Sequence, residues 1–330
     1  MGLKTILALV AAILLPALPA RAQPVADPAS IWTLQDENAA PSLGRPRDRF
    51  YTNGLQLGWI SPTTAVPNAL ADLGHALWGD GQQRVGLDLS QQIYTPVDTQ
   101  ATIPDARDRP YAGLLMGNLS LLSDTNDARS VLTLSLGILG PVAGGGQIQN
   151  GFHTMIHDAR VNGWDQQIPN TPAVEALHER TWRLPIGTIG GLEVDVLPSV
   201  TAAVGDVRDY VQTGGTLRIG QGLNSDFGVP RIRPGLSGGD AYTPTRSFAW
   251  YAFIGADGQA VAYDLLLQSS PFRSGPHVSP TWEVAELQGG VAVLAYGMRL
   301  TLVYVAQTAE FRGQGGGIHQ FASVSLSMRF

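Results

Sequence analysis

His319-Gln320-Phe321-Ala322-Ser323-Val324-Ser325-Leu326-Ser327-Met328-Arg329-Phe330 alternates polar and apolar residues to its last position, and this alternation decides the fold. A strand turns successive side chains to opposite faces. Val324, Leu326, Met328 and Phe330 therefore share one face, and Ser323, Ser325, Ser327 and Arg329 share the other. One face suits lipid and the other water, and an aromatic final residue on such a strand is how an outer-membrane barrel closes. The expected fold is all-β, a transmembrane antiparallel β-barrel.

The other end of the chain points to the same compartment. Lys4, the apolar run Thr5 to Ala17 and the small-residue site Ala20-Arg21-Ala22 read as a cleaved export signal over residues 1–22, with the barrel domain at 23–330. Pro16 and Pro19 cut the apolar run short of the ~20 residues a spanning helix needs. No later segment is long and apolar enough for one, whereas a barrel strand needs only ~9 to 11 alternating residues. The chain has no cysteine, which excludes disulfides and thiolate chemistry. Its net charge of −6 comes without a basic cluster, so nucleic acid is not an expected partner.

Working outward from the terminus, alternating runs fall at Met298 to Phe311, Trp282 to Tyr296 and Phe248 to Gln268, and further back at Tyr210 to Gly220, Leu192 to Val204 and Val174 to Leu184. Earlier ones are Ser130 to Leu139, Tyr111 to Leu122, Arg84 to Tyr94, Phe50 to Ile60 and Ile31 to Asn38. In Arg84 to Tyr94, Leu87 and Leu89 alternate with Asp88, Ser90 and Gln92, a polar set that belongs in a wet lumen. A turn at Asp257-Gly258 would give thirteen strands. Bacterial single-chain barrels are even-numbered, so that pair is expected as a bulge or bend within one of twelve strands. With both termini periplasmic, 39–49, 95–110 and 140–173 become external loops. In the periplasmic segment 61–83, Leu70, Leu73 and Leu77 recur at helical spacing beside Trp78 and predict a short interfacial helix.

Of six histidines, His153 has distinctive company. In Gln147 to Asp158, Ile148, Phe152, Met155 and Ile156 form an apolar helical stripe, and Gln149, His153 and His157 a polar one. A short helix in an extracellular loop is therefore expected to hold the His153 imidazole over the barrel rim. His153 and His157 lack the glutamate of a zinc-protease pattern, so a general base is the better role, an imidazole with ordinary pKa ~6.5 being able to take a proton from water. There is no Gly-x-Ser-x-Gly elbow to supply a serine nucleophile. A second cluster, Gln35-Asp36-Glu37-Asn38, leads to Arg47-Asp48-Arg49-Phe50-Tyr51-Thr52-Asn53-Gly54. Its carboxylate and carboxamide oxygens suit calcium, and would equally serve to solvate a loop at the rim.

Asp48-Arg49-Phe50-Tyr51-Thr52-Asn53-Gly54, Gln92-Ile93-Tyr94-Thr95-Pro96, Asp108-Arg109-Pro110-Tyr111-Ala112-Gly113 and Gln149-Asn150-Gly151-Phe152-His153 together resemble the outer-membrane lipid A 3'-O-deacylase family, LpxR, in order and spacing over most of the chain. The resemblance implies a twelve-stranded barrel and a calcium-dependent esterase, its site between the barrel wall and a helix of the third external loop, acting as a monomer on the lipid A of lipopolysaccharide. His153 matches the family's catalytic histidine, Thr52 its hydroxyl residue and Asn38 the asparagine ending strand one. The family follows that asparagine with an aspartate, where this chain has Ala39. Glu37 or Asp36 is expected to replace it, in the catalytic set and as calcium ligands. The acidic residue six positions after the histidine falls on Ala159, with Asp158 its neighbour and third expected ligand. Asn38 shares a face with Trp32 and Leu34, whereas Glu37 and Thr52 fall with lumen residues, so convergence requires a bulge, expected in the loop from Ala39. The rival readings are a non-enzymatic pore or structural barrel, and an outer-membrane phospholipase, which would need a serine nucleophile.

Overall fold

The computed structural model describes residues 26–39, 48–232, 241–270, 273–315 and 317–330, so the export signal and most of the loop 39–49 lie outside it. Thirteen strands run antiparallel, in chain order β1 (Ile31–Asn38), β2 (Phe50–Ile60), β3 (Gln82–Thr95), β4 (Ala112–Asp124), β5 (Ala128–Leu139), β6 (Thr171–Trp182), β7 (Leu184–Ile189), β8 (Leu192–Gly205), β9 (Arg208–Gln221), β10 (Phe248–Asp264), β11 (Glu283–Ala295), β12 (Met298–Gln307) and β13 (His319–Arg329). Pairing of β1 with β13 and of β6 with β8 closes the sheet. The short β7 continues β6 past Arg183 and forms a hairpin with β8, so the closed wall has twelve strands. Among the described residues no helix is long and apolar enough to cross a membrane.

Within the twelve-stranded wall closure pairs each strand on both sides, as lipid demands, and the alternation sorts the side chains as the last strand predicts. Ser323, Ser325 and Ser327 are buried inside, while Val324, Leu326 and Met328 are exposed outside. In β1, Thr33, Gln35 and Glu37 face the lumen and Trp32, Leu34 and Asp36 the exterior. The Asp257-Gly258 pair lies within one long strand, but it is neither bulge nor bend. Both residues are paired on each side, and the register of β10 shifts between Val261 and Tyr263 instead. That strand ends at Asp264, whose carboxylate accepts the Leu266 amide at 2.9 Å and caps a short helix, Leu265–Gln268.

The helical spacing in segment 61–83 is realised as α1 (Asn68–Trp78). Trp78, with Leu70 and Leu77, packs on Val85, Leu121 and Leu132, residues in step with the lipid-facing side chains of their strands. Its indole donates to His178 at 3.1 Å and stacks on that ring. The helix therefore lies against the outer wall at the end of the barrel that holds the termini, as an amphipathic interfacial helix does.

The Gly/Pro-rich connection 222–247 carries no strand period, and its described part before residue 233 serves as a plug. Residues 225–232 are buried inside the wall. Asp226 is gripped by Arg218 at 2.6 Å, Arg299 at 3.3 Å and the Tyr251 hydroxyl at 2.9 Å. Arg231 meets Glu37 at 2.8 Å and donates to Gln288 at 2.8 Å. At the opposite mouth Arg109 pairs with Glu310 and stacks 4.4 Å above Tyr94. Between plug and wall remains a cavity of about 120 Å³, lined by lumen residues such as Gln56, Ser90, Gln92 and Asn118.

Candidate active site on the outer wall

The helix predicted around His153 is α2 (Gly145–Met155). It lies against the outside of the wall rather than over the rim. A Cβ on Gly113 of β4 would stand 3.0 Å from the Gly145 nitrogen, and Gln91 of β3 donates to the Ala143 carbonyl at 2.8 Å. Only paired glycines allow so close an approach. The stripes are also reversed relative to a soluble helix. Ile148, Phe152, Met155 and Ile156 are exposed, whereas Gln149 and His153 are buried against the barrel. Where the surroundings are lipid, the apolar stripe belongs outside.

Against the wall, His153 sits between two acceptors. Nδ1 stands 2.6 Å from the Ala159 carbonyl and Nε2 stands 2.9 Å from Asp48 Oδ2. The carbonyl can only accept, so Nδ1 carries a proton and Nε2 is the nitrogen available for acid–base chemistry. Asp48 accepts a second bond from Gln149 at 2.8 Å, and Gln149 in turn accepts the Trp164 indole N–H at 2.8 Å. The indole fixes which end of the carboxamide faces Asp48. Asn150 clamps the return of the loop, bonding the Val161 amide at 2.8 Å and carbonyl at 3.1 Å. That clamp holds the Ala159 carbonyl in place. Tyr111 packs on Trp164 at 5.0 Å and anchors the loop to the end of β4.

The residues expected to join His153 divide between the two sides of the wall. Glu37, expected in the catalytic set and as a metal ligand, is a lumen residue. Its carboxylate accepts from Gln35, Tyr51, Arg231 and the Ile232 amide, so it belongs to the plug. Asp36, one position earlier, faces outward and accepts from Asn53 at 2.8 Å. Period two separates these neighbours, and they do not share a site. Asn38 ends β1 on the same outer face as Trp32. Thr52 is the extra residue of a bulge in β2, with its hydroxyl 2.7 Å from that of Thr95. A bulge is thus present in β2, whereas the loop from Ala39, where one was expected, lies outside the described residues at 40–47. The β2 bulge turns Tyr51 inward to Glu37 and Asn53 outward to Asp36. Asp158 is exposed and accepts the Ala159 amide at 2.7 Å.

Calcium takes six to eight oxygen ligands, several of them carboxylates. Among the described residues no group of three His, Asp or Glu side chains comes together as a metal site. The expected ligands Glu37, Asp36 and Asp158 are not brought together, and Ala39 and Ala159 carry methyl groups. As placed, these three carboxylates do not form one calcium site. Sequence reasoning placed Asp48 in an oxygen-rich cluster without a role, and gave none to Trp164. The link of Asp48 to α2 spans about a hundred residues of chain and that of Trp164 fifteen, and no local period announces either.

If the Gly113–Gly145 contact seats α2, Gly113→Val should push the helix off the wall, an overpacking that typically costs about 1–3 kcal/mol. The expected result is a barrel with unchanged heat-modifiable mobility and faster amide hydrogen exchange across Gly145–Met155, because a helix off its seat opens locally.

A closed twelve-stranded wall with a lipid-facing girdle defines an outer-membrane barrel, and a histidine–carboxylate contact is held against its outer side. The sequence pattern of the outer membrane protein LpxR family covers residues 6–330, and the chain belongs to that family. LpxR from Salmonella typhimurium has a similar structure, with a TM-score of 0.74 and 23% identity over 91% of this chain and 100% of that one. The β domain of the Bordetella autotransporter BrkA aligns at a TM-score of 0.39 and 12% identity, covering 92% of this chain and 99% of its own. The translocator domain of NalP from Neisseria meningitidis gives 0.38 and 12%, covering 99% and 94%. No curated protein sequence matches the chain.

Proposed function

We propose that the protein is an outer-membrane hydrolase that removes 3'-O-linked acyl chains from lipid A, with His153 as the general base for direct attack by water. The observation that carries this reading is the position of His153, on the lipid side of the wall beneath a helix whose apolar stripe faces the membrane. A glycolipid in the same leaflet can reach that site sideways, without entering the plugged lumen. Nε2 takes the proton of a water molecule as its oxygen adds to the acyl carbon, and then returns the proton to the departing sugar oxygen. Asn38, at the outer end of β1, and the Thr52 hydroxyl are assigned as donors to the ester oxyanion.

Both ring nitrogens of His153 are engaged by groups other than a serine hydroxyl, which favours water over a serine nucleophile and a deacylase over a phospholipase of that type. The plug argues against a pore. Mass spectrometry of lipid A from a lipopolysaccharide-bearing host expressing the protein tests the proposal, with the loss of one acyl or acyloxyacyl group expected. Purified in detergent, the enzyme should keep its turnover within about twofold when a chelator is added, since the donor set lacks the carboxylates calcium prefers. Unaltered lipid A would overturn the activity, and loss of turnover on chelation restored by calcium would overturn the metal-free site.

A further inference from the structure

We propose that Asp48 is the positioning residue for the nucleophilic water, working as one unit with His153. The inference rests on the deacylase reading and adds to it a residue at neither of the two positions where the resemblance expects an acid, which here are Ala39 and Ala159.

The argument starts from proton count. Nδ1 gives its hydrogen to the Ala159 carbonyl, so a hydrogen between Nε2 and Asp48 Oδ2 is the ring's second one. The contact at 2.9 Å is therefore the geometry of an imidazolium beside a carboxylate, the state that follows proton transfer from water. In the state before transfer, the Nε2 lone pair and the carboxylate repel each other. A water molecule entering between them can donate one hydrogen to each, which directs its oxygen lone pairs away from the pair and toward an ester in the leaflet.

Asp48 can hold its end of this arrangement independently of His153. Its Oδ2 is bound by Gln149, and Gln149 is held by the buried Trp164 indole, so the carboxylate stays in place as the imidazole changes charge. When water adds to the acyl carbon, the new C–O bond forms, the carbonyl π electrons move to oxygen and one proton passes to Nε2. The imidazolium then closes on Asp48. Collapse of the tetrahedral adduct breaks the bond to the sugar oxygen, which takes the proton from Nε2 and leaves as a hydroxyl. Fatty acid and sugar alcohol account for every atom.

The test compares Asp48→Ala and Asp48→Glu with the unmodified protein in detergent, using two readouts. In turnover of purified lipid A, Asp48→Ala should lower kcat by about ten- to a hundredfold, a large part of what acid–base assistance contributes, with KM changed by less than about twofold. Asp48→Glu should recover most of the loss. In carbethoxylation by diethyl pyrocarbonate followed by peptide mass spectrometry, no substrate is needed and the exposed His157 serves as internal reference. His153 should react slowly in the unmodified protein and in Asp48→Glu, and at least about tenfold faster relative to His157 in Asp48→Ala, because Asp48 no longer covers Nε2. Unchanged kcat in Asp48→Ala, a loss confined to KM, or an unchanged His153 to His157 ratio would each overturn the assignment. If the unmodified protein fails to deacylate lipid A while the carbethoxylation shift occurs, the Asp48–His153 pair stands and the deacylase reading is what fails.

Discussion

His153→Ala is expected to lower deacylation by about two to four orders of magnitude, the range a positioned general base contributes, while the barrel keeps its folded, heat-modifiable form. The expectation of intact folding comes from what the substitution leaves behind. Asp48 is partly exposed and retains its bond from Gln149, so no buried charge is orphaned. α2 is seated by the Gly113–Gly145 approach, the Gln91 bond to the Ala143 carbonyl and the Asn150 clamp, none of which involves the imidazole. His153→Gln provides a control that keeps a hydrogen-bonding side chain without a base of useful strength, and it should be as inactive as the alanine variant. Release of fatty acid from purified lipid A, read against gel mobility with and without heating, measures both effects. Turnover within a factor of a few of the unmodified protein would remove His153 from the chemistry and with it the proposed mechanism.

The barrel was legible because lipid imposes one simple rule on every strand. Ile31–Asn38 and Phe50–Ile60 coincide with their alternating runs, and even strand number correctly kept Phe248–Asp264 as a single strand across Asp257-Gly258. α1 was legible from its leucine spacing. Three features were hidden for physical reasons. The stripe containing Ile148, Phe152 and Met155 marks a helix, but a stripe alone does not say whether its solvent is a protein core or a membrane, and here it faces outward. The segment before Thr243 has no period, since a plug inside a lumen is held by individual ion pairs at Asp226 and Arg231 and not by a repeating face. The bulge at Thr52 moves Tyr51 to the lumen side, and strict alternation cannot predict it. Of the site, His153 could be found from its helix, whereas the acid beside it could not be chosen. Alternation turns Glu37 to the lumen, but nothing local chooses among Asp36, Asp48 and Asp158, and only tertiary packing brings Asp48 to His153.

Arg231→Ala is expected to have the largest effect on stability, because Arg231 is the cation on which the plug turns. It is fully buried, bonds Glu37 and Gln288 at 2.8 Å, lies 3.8 Å from Glu286 and stands over the Phe321 ring. Removing one partner of a buried ion pair typically costs about 3–5 kcal/mol, since the remaining charge is left without water or counterion. Here the loss would leave Glu37 and Glu286 facing the same space with no Arg231 between them. The barrel should unfold at lower temperature or denaturant, and residues 225–232 should lose their seat, giving ion conductance in planar bilayers where the unmodified protein is closed. Adding Glu37→Gln to Arg231→Ala removes one of the stranded carboxylates, and should restore a good part of the stability without closing the conductance. Lipid A turnover by the surviving folded fraction should stay near the unmodified value in both variants, because the hydrogen-bonded wall separates the plug from His153. A loss of turnover in Glu37→Gln alone, with stability unchanged, would return Glu37 to the catalytic set and overturn its assignment to the plug.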